Sequence, residues 1–359
     1  MLQALNSFNS FLQRGFMRIK RKLIYKLGMV SDQYFYLDSY MTKNREDGIE
    51  RLNVHSPQAE IEFIVPSNGK LIKSFLLERY LYRLDNPIID PQSGFIYDKS
   101  GVFIAESSSW NLLRTFYSRP RPFISQSCKK LNGEYIFIND IGYGHWLLED
   151  LPVFLGAYKS FPHATILSPR NPSPWLQYVL NMLNNKIIYL DKPISVEKLI
   201  MAGKSAGYGH PAHGLTYNPY DVDLLRDFFC KYLCSSQDND LLLFASRRGE
   251  SRCPENIIEV EEFMVSKGYK VLNSELNLSL GDQIKLFSGA KKVVGIHGAA
   301  LMNLVWCNPG VSVTELFADE YMPTAFPAIS SIRSLNYSML NYGESYEDSI
   351  DLVLLESFC

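Results

Sequence analysis

Apolar positions divide this chain into three regimes. Over residues 1–31, Leu5, Phe8, Leu12, Phe16, Ile19, Leu23 and Leu27 recur at spacings of three and four, which predicts a helix with one apolar face. Over 60–109 the apolar runs are short and broken by turn sequences such as Pro-Gln-Ser-Gly and Asp-Lys-Ser-Gly. That pattern predicts a small, partly antiparallel β unit. From Tyr135 onward, short buried-strand runs alternate with stretches of helical period. Strands are predicted at 135–138, 164–167, 187–190, 198–201, 241–245, 268–272, 293–296 and 311–316. Helices are predicted at 175–183, 221–233, 259–267 and 281–289. Strand–helix alternation of this kind is the signature of an α/β fold with parallel sheets.

The stretch 280–316 organises the second half. The apolar strand Val293–Val294–Gly295–Ile296 runs into His297-Gly298-Ala299-Ala300, and a helix is predicted to continue through Leu301, Met302, Leu304 and Val305 to a stop at Asn308-Pro309-Gly310. Small residues where a strand becomes a helix let a ligand approach backbone N–H groups at the positive end of that helix, an arrangement suited to phosphate. Tight helix–sheet packing would select the same residues. Ligands of open α/β sheets lie beyond the carboxyl ends of strands, where His297 and Glu315 are both expected.

Two further blocks hold the same position after a strand. His145 and Glu149, in HWLLEDLP, would lie one turn apart on a helix face, as an acid/base pair or a salt bridge. Asp150 is a second carboxylate. Arg247 and Arg248 in SRRGESR, with Arg252, follow the strand 241–245 and suit bidentate phosphate binding; surface arginines are the bland alternative. His210 and His213 (HPAH, in the loop 207–214) invite a metal, but Pro211 opposes a helix and no neighbouring thiolate or carboxylate completes a site, so no metal is expected. Asp238-Asn239-Asp240 precedes its strand and reads as a solvated turn. Arg114, Arg119 and Arg121 read as an exposed loop.

Charge adds one feature. The chain of 359 residues carries a net charge of −2, which gives no support to nucleic-acid binding. Yet residues 1–31 hold six basic side chains and no acid, which suits an anionic membrane surface or a docking face on protein. The six cysteines form no CxxC pair, which points to a reducing compartment. Neither a membrane-spanning run nor a signal-peptide core is expected.

HWLLEDLP, LLLFASRR, LSLGDQIKLFSGAKKVVGIHGAALMNLVW and VSVTEL together, over roughly 135–320, resemble the pattern of glycosyltransferase family 61. The chain departs from that pattern after the double arginine, where Cys253, Pro254 and Ile257 replace a further basic pair and an Asn-Glu. The resemblance implies a GT-B-like fold, with two Rossmann-like domains facing across a cleft. Here a small β-rich N-terminal portion and the basic amphipathic helix would be added to it. Boundaries are expected at 1–31 (basic helix), 32–214 (acceptor domain), 215–335 (donor domain) and 336–359, a tail expected to pack back on the first domain. The resemblance further implies inverting, metal-independent transfer from a nucleotide sugar to a glycan or lipid-linked glycan. Donor contacts would come from Arg247, Arg248, Arg252, His297, Gly298, Ala299 and Asn303, with Glu315 accepting from a ribose diol. Glu149 is favoured as base, with His145 orienting it or serving instead, and Asp150 in reserve. The expected setting is bacterial surface-polysaccharide synthesis at the cytoplasmic face of the inner membrane; oligomeric state is not legible. A sugar-modifying transferase or epimerase of similar fold, or a non-catalytic glycan- or nucleotide-binding protein, are the alternatives.

Overall fold

The computed structural model describes residues 34–35, 48–65, 70–76, 78–99, 101, 103–104, 128–203, 217–233, 240–319 and 324–359. The 1–31 segment, the arginines at 114, 119 and 121, the HPAH loop, and Asp238 and Asn239 lie outside these residues.

The first half is built on a ten-stranded mixed sheet. Its short β1 (Tyr34–Phe35) pairs parallel with β8 (Phe103–Ile104); its antiparallel part comes from β2 (Ile49–Ser56), β5 (Arg79–Asp85), β6 (Ile88–Asp90), β7 (Phe95–Tyr97) and β8, while β3 (Ala59–Val65) and β4 (Lys70–Leu76) form a separate hairpin. Its parallel part is β9 (Lys130–Phe137), β10 (Thr165–Pro169), β11 (Ile187–Leu190) and β12 (Ile194–Ala202), in spatial order β11-β10-β9-β12. Numbered by their own sequence, these four strands stand 3-2-1-4, so the order reverses between β9 and β12. The helical run after β9 starts as the single turn α1 (Tyr143–His145), widens to a π-helical turn at Trp146–Asp150 and continues as α2 (Leu151–Ser160). Helix α3 (Pro174–Met182) starts where Ser173 Oγ accepts the Leu176 N–H at 3.4 Å, with proline in the first turn. Asp140 accepts from the Ser173 N–H (2.6 Å) and Oγ–H (2.7 Å), pinning that start to the loop after β9.

Helix α4 (Pro219–Phe228), capped by Asn218, leads to the second half. There β13 (Leu241–Ala245), helix α5 (Ile257–Ser266), β14 (Lys270–Leu272), helix α6 (Leu280–Ser288), β15 (Ala290–Ile296), β16 (Ser312–Ala318), helix α7 (Ala325–Ile332), β17 (Asn336–Gly343) and α8 (Leu352–Glu356) follow in turn. The five strands are all parallel, in order β14-β13-β15-β16-β17. Numbered within the sheet this is 2-1-3-4-5, with the reversal between β13 and β15.

Two expectations are corrected. The segment after the HGAA turn is a 3-10 helix, Ala299–Trp306, not an α-helix. Its fully buried Leu301 and Leu304 are three residues apart, which matches the tighter winding. The tail 336–359 packs on the second sheet rather than on the first half: β17 pairs with β16, and Ile350 and Leu355 join Phe244, Val294 and Leu316 in one cluster.

A single hydrophobic core joins the two sheets. Ile136, Ile166 and Ile200 of the first share it with Leu243, Val293 and Val313 of the second, through Trp146, Leu147, Leu151, Leu304 and Trp306. The end of the 3-10 helix is held by cations, which suits the carbonyl end of a helix. Arg226 donates to the carbonyls of Val305 (3.0 Å) and Trp306 (2.6 Å), and Arg333 to that of Cys307 (3.1 Å).

Candidate active site

In open parallel sheets the crevice for a ligand lies where the strand order reverses, beyond the carboxyl ends of the strands. In the second sheet that point is set by the ends of β13 and β15, and it is where Arg247 and His297 meet. Arg247 Nη1 donates to the His297 carbonyl at 3.2 Å, while Nε and Nη2 donate to the Ser251 carbonyl at 3.0 and 2.7 Å. The guanidinium points Nη1 at Gly298: a Cβ there would be 1.8 Å from Nη1 and 3.0 Å from Cζ. Gly298 has an extended backbone, φ 170°, so the glycine is required by this contact and not by its torsion angles. Ala299 and Ala300 are exposed at the start of the 3-10 helix.

Burial lowers the Arg247 pKa from its ordinary value, and the positive charge of Arg252 lowers it further. Arg252 is exposed, adopts a left-handed backbone (φ 61°) and places its guanidinium 5.4 Å from the Tyr346 ring centroid. Tyr346 in turn lies 6.0 Å from the His297 ring. Two guanidinium groups and a helix start therefore converge on one edge, and an anion seated between them would relieve their repulsion. Arg248 goes elsewhere, its Nε 3.1 Å from Glu261 and its Nη2 2.9 Å from Glu275.

Glu315 does not sit beyond a strand end. It lies in the middle of β16, paired with Gly295 and Met339. His297 Nδ1 and the Tyr337 hydroxyl each bond one of its carboxylate oxygens, and only 2% of Glu315 is exposed. This carboxylate orients His297 instead of facing a ribose. Burial, reinforced by the Glu315 charge, pushes the Tyr337 phenol far above its ordinary value, so it remains a donor.

In the first sheet the reversal lies between β9 and β12, and α1 follows β9. His145 Nδ1 is 2.5 Å from Glu149 Oε1. The Glu149 side chain has 0% exposure and that of His145 30%; Asp150 is buried too. When Glu149 is a carboxylate it accepts from Nδ1–H, and that tautomer of the imidazole carries its lone pair on Nε2.

The two blocks touch. A Cβ on Gly144 would lie 3.5 Å from Ala299 Cβ and 3.2 Å from Met302 Cγ, so α1 approaches the HGAA turn to within side-chain contact and an alanine here would need Met302 to give by a few tenths of an ångström. Beside it the Tyr143 hydroxyl donates to Asn303 Oδ1 at 2.7 Å. Asn303 is 1% exposed and lies inside this contact, not on the ligand-facing surface. The structure thus brings the turn that carries His145 up to Ala299 through Gly144, and sets Arg247 on Gly298 and the His297 carbonyl, while Arg248 and Glu315 are held by other partners.

Sequence reasoning missed three residues: Tyr143, Tyr337 and Tyr346. For Tyr143 the signal was its place between the two glycines of Gly142-Tyr143-Gly144, where a large side chain interrupts a tight turn. The other two come from the tail, whose polar, glycine-bearing sequence carries no such mark. Among the described residues no group of three or more His, Cys, Asp or Glu could hold a metal ion, and no helix is long and apolar enough to cross a membrane.

Comparison with known proteins bears on this edge. Over 149 residues the chain is 29% identical to a beta-1,2-xylosyltransferase of Oryza sativa subsp. japonica, a match covering 36% of this chain and 27% of that protein. Over 79 residues it is 27% identical to a beta-1,2-xylosyltransferase of Arabidopsis thaliana, covering 22% and 15%. The matches therefore span 27% and 15% of the lengths of these curated relatives. Residues 143–314 match the family model Glycosyltransferase 61. That segment opens on Tyr143 and runs through His297 and the 3-10 helix, taking in both sides of the contact: residues 143–314 are a glycosyltransferase 61 domain.

Proposed function

We propose that this protein is a glycosyltransferase that moves a sugar from a nucleotide-sugar donor to a hydroxyl of a glycan or lipid-linked glycan, with inversion. The observation that carries the reading is the approach of Gly144, the residue before His145, to Ala299 of the HGAA turn. It sets a partly exposed imidazole, oriented by a buried carboxylate, beside a site for anions. His145 is the base in this proposal and Glu149 its positioning group, because Glu149 has no exposed surface with which to meet an acceptor.

In the proposed step His145 Nε2 takes the acceptor hydroxyl proton as that oxygen bonds to the anomeric carbon. The bond from this carbon to the diphosphate oxygen breaks, and the nucleoside diphosphate leaves with the electron pair. Arg252, Arg247 and the N–H groups at the start of the 3-10 helix balance the charge growing on the leaving group, the task a metal ion performs in other transferases. The two sheets, each reversing strand order beside one of these groups, support a GT-B-like division into acceptor and donor sides. The relatives named xylosyltransferases make a nucleoside-diphosphate pentose one donor to test. We further propose a setting in bacterial surface-polysaccharide synthesis on the cytoplasmic face of the inner membrane, with the basic segment 1–31 on anionic lipid.

The test is a thermal-shift panel of UDP, GDP, CMP, dTDP and their sugar conjugates, UDP-xylose included, with and without EDTA. One nucleotide class should raise Tm, because a ligand that binds only the folded state stabilises it. The shift should survive EDTA, vanish in Arg252→Ala and persist in Arg248→Ala. A shift that needs a divalent metal, or that depends on Arg248 instead of Arg252, contradicts the donor-site reading.

A further inference from the structure

The side chain of Asn303 has all its hydrogen-bonding capacity filled, and one of its four bonds crosses to the first half. Its Oδ1 accepts from the Tyr143 hydroxyl (2.7 Å) and from Trp306 Nε1 (3.0 Å). Its Nδ2 donates to Gln283 Oε1 (2.9 Å) and to the Ala300 carbonyl (3.1 Å). With two donors and two acceptor sites filled, the amide has one orientation and no group left for a ligand. The four partners come from α1, α6 and both ends of the 3-10 helix, and Ala300 belongs to the HGAA turn. Tyr143 is two residues before His145. Burial raises its phenol pKa well above the ordinary value, the Asn303 bond offsetting this only in part, so Tyr143 remains a neutral donor.

We propose that Asn303 and Tyr143 are positioning residues for transfer: they fix where the His145 base stands relative to the donor turn. The proposal rests on the transferase reading and departs from the donor-contact role that the family resemblance implies for Asn303. Its physical basis is the sensitivity of a displacement reaction to alignment. Misplacing a reacting group by about 1 Å can cost on the order of a hundredfold in rate. The lone route from Asn303 to α1 is one hydroxyl, and removing it frees α1 to shift on the small residues Gly144 and Ala299.

The Gly144–Ala299 approach provides an independent handle on the same geometry. An added Cβ at position 144 meets Met302 Cγ at 3.2 Å and Ala299 Cβ at 3.5 Å, so Gly144→Ala requires the Met302 side chain to give by a few tenths of an ångström and perturbs this contact mildly, leaving the Tyr143–Asn303 bond in place.

The experiment measures nucleoside diphosphate released from the nucleotide sugar that the thermal panel selects, together with nucleotide Kd and Tm. The proteins are wild type, Tyr143→Phe, Gly144→Ala, Asn303→Ala and, as the reference for the functional reading, His145→Ala. The expected result is a fall in kcat of about tenfold or more in Tyr143→Phe and a smaller fall in Gly144→Ala, with nucleotide Kd within about twofold of wild type. Tyr143→Phe removes a single hydroxyl and keeps the ring, so it carries the test even if Asn303→Ala does not fold. Wild-type kcat in Tyr143→Phe overturns the proposal. So does a loss of nucleotide affinity that matches the loss of kcat, which would return Asn303 to the donor site. If His145→Ala turns over like wild type, or wild type releases no diphosphate, the transferase reading itself falls.

Discussion

Gly298→Ala is the sharpest perturbation of the donor edge. All three heavy atoms nearest the added Cβ belong to Arg247: Nη1 at 1.8 Å, Cζ at 3.0 Å and Cδ at 3.6 Å. The backbone there is extended, so alanine adds no torsional strain, and the entire cost is the displacement of one side chain. Moving the guanidinium breaks its bond to the His297 carbonyl and loosens the pair to Ser251. Hydrogen bonds from charged groups contribute about 1.5–3 kcal/mol each, and a displaced guanidinium recovers part of this by re-entering water, so the net loss should be about 2 kcal/mol. A double-mutant cycle with Arg247→Ala isolates that figure. With the arginine side chain gone, Gly298→Ala meets none of the three atoms and should cost roughly 0.5 kcal/mol or less, leaving a coupling of about 1.5 kcal/mol. Urea unfolding of the four proteins measures it, and the EDTA-independent nucleotide shift should disappear in both Gly298→Ala and Arg247→Ala. Equal destabilisation by Gly298→Ala in both backgrounds would refute the packing argument.

Two other outcomes follow from the buried partners. Glu149→Gln should leave nucleotide Kd unchanged and lower kcat by about a hundredfold or more, since an amide can face its NH2 toward His145 and select the wrong tautomer; an unchanged kcat would remove Glu149 from the reaction. Tyr143 and Tyr337 both have pKa values raised in the folded state, so their contribution is complete below the unfolded tyrosine value and is lost as pH rises above it. Urea midpoints should therefore be flat up to about pH 10 and fall beyond it, with a shallower fall in Tyr337→Phe; a midpoint that rises there would mean these phenols are not held neutral.

Much of the fold is legible in the sequence because its parallel strands are buried on both faces. Runs such as Leu241–Ala245 and 293–296 admit few other conformations, and serine, asparagine and proline mark the helix starts at 173–174, 218–219 and 279. The positions of His145, Arg247 and His297 could be read as well, since each follows such a strand. What could not be read was direction. Arg247 and Arg248 are neighbours in sequence, yet one lies on Gly298 and the other is held by Glu261 and Glu275, contacts set by residues far along the chain. Glu149 looks like the stronger base until its burial is seen, and Glu315 looks like a ligand group until Tyr337 arrives from β17. That strand was itself hidden, because NYSMLNYG is polar and glycine-bearing and owes its place to pairing with β16.

The central claim is that His145 removes the acceptor proton at a donor site it does not help to bind. The most direct measurement is a single-turnover comparison of wild type and His145→Ala, with the preferred nucleotide sugar saturating and nucleotide Kd determined in parallel. The account predicts an unchanged Kd and a rate lower by about 10² to 10⁴. A His145→Ala protein that transfers at the wild-type rate would contradict it.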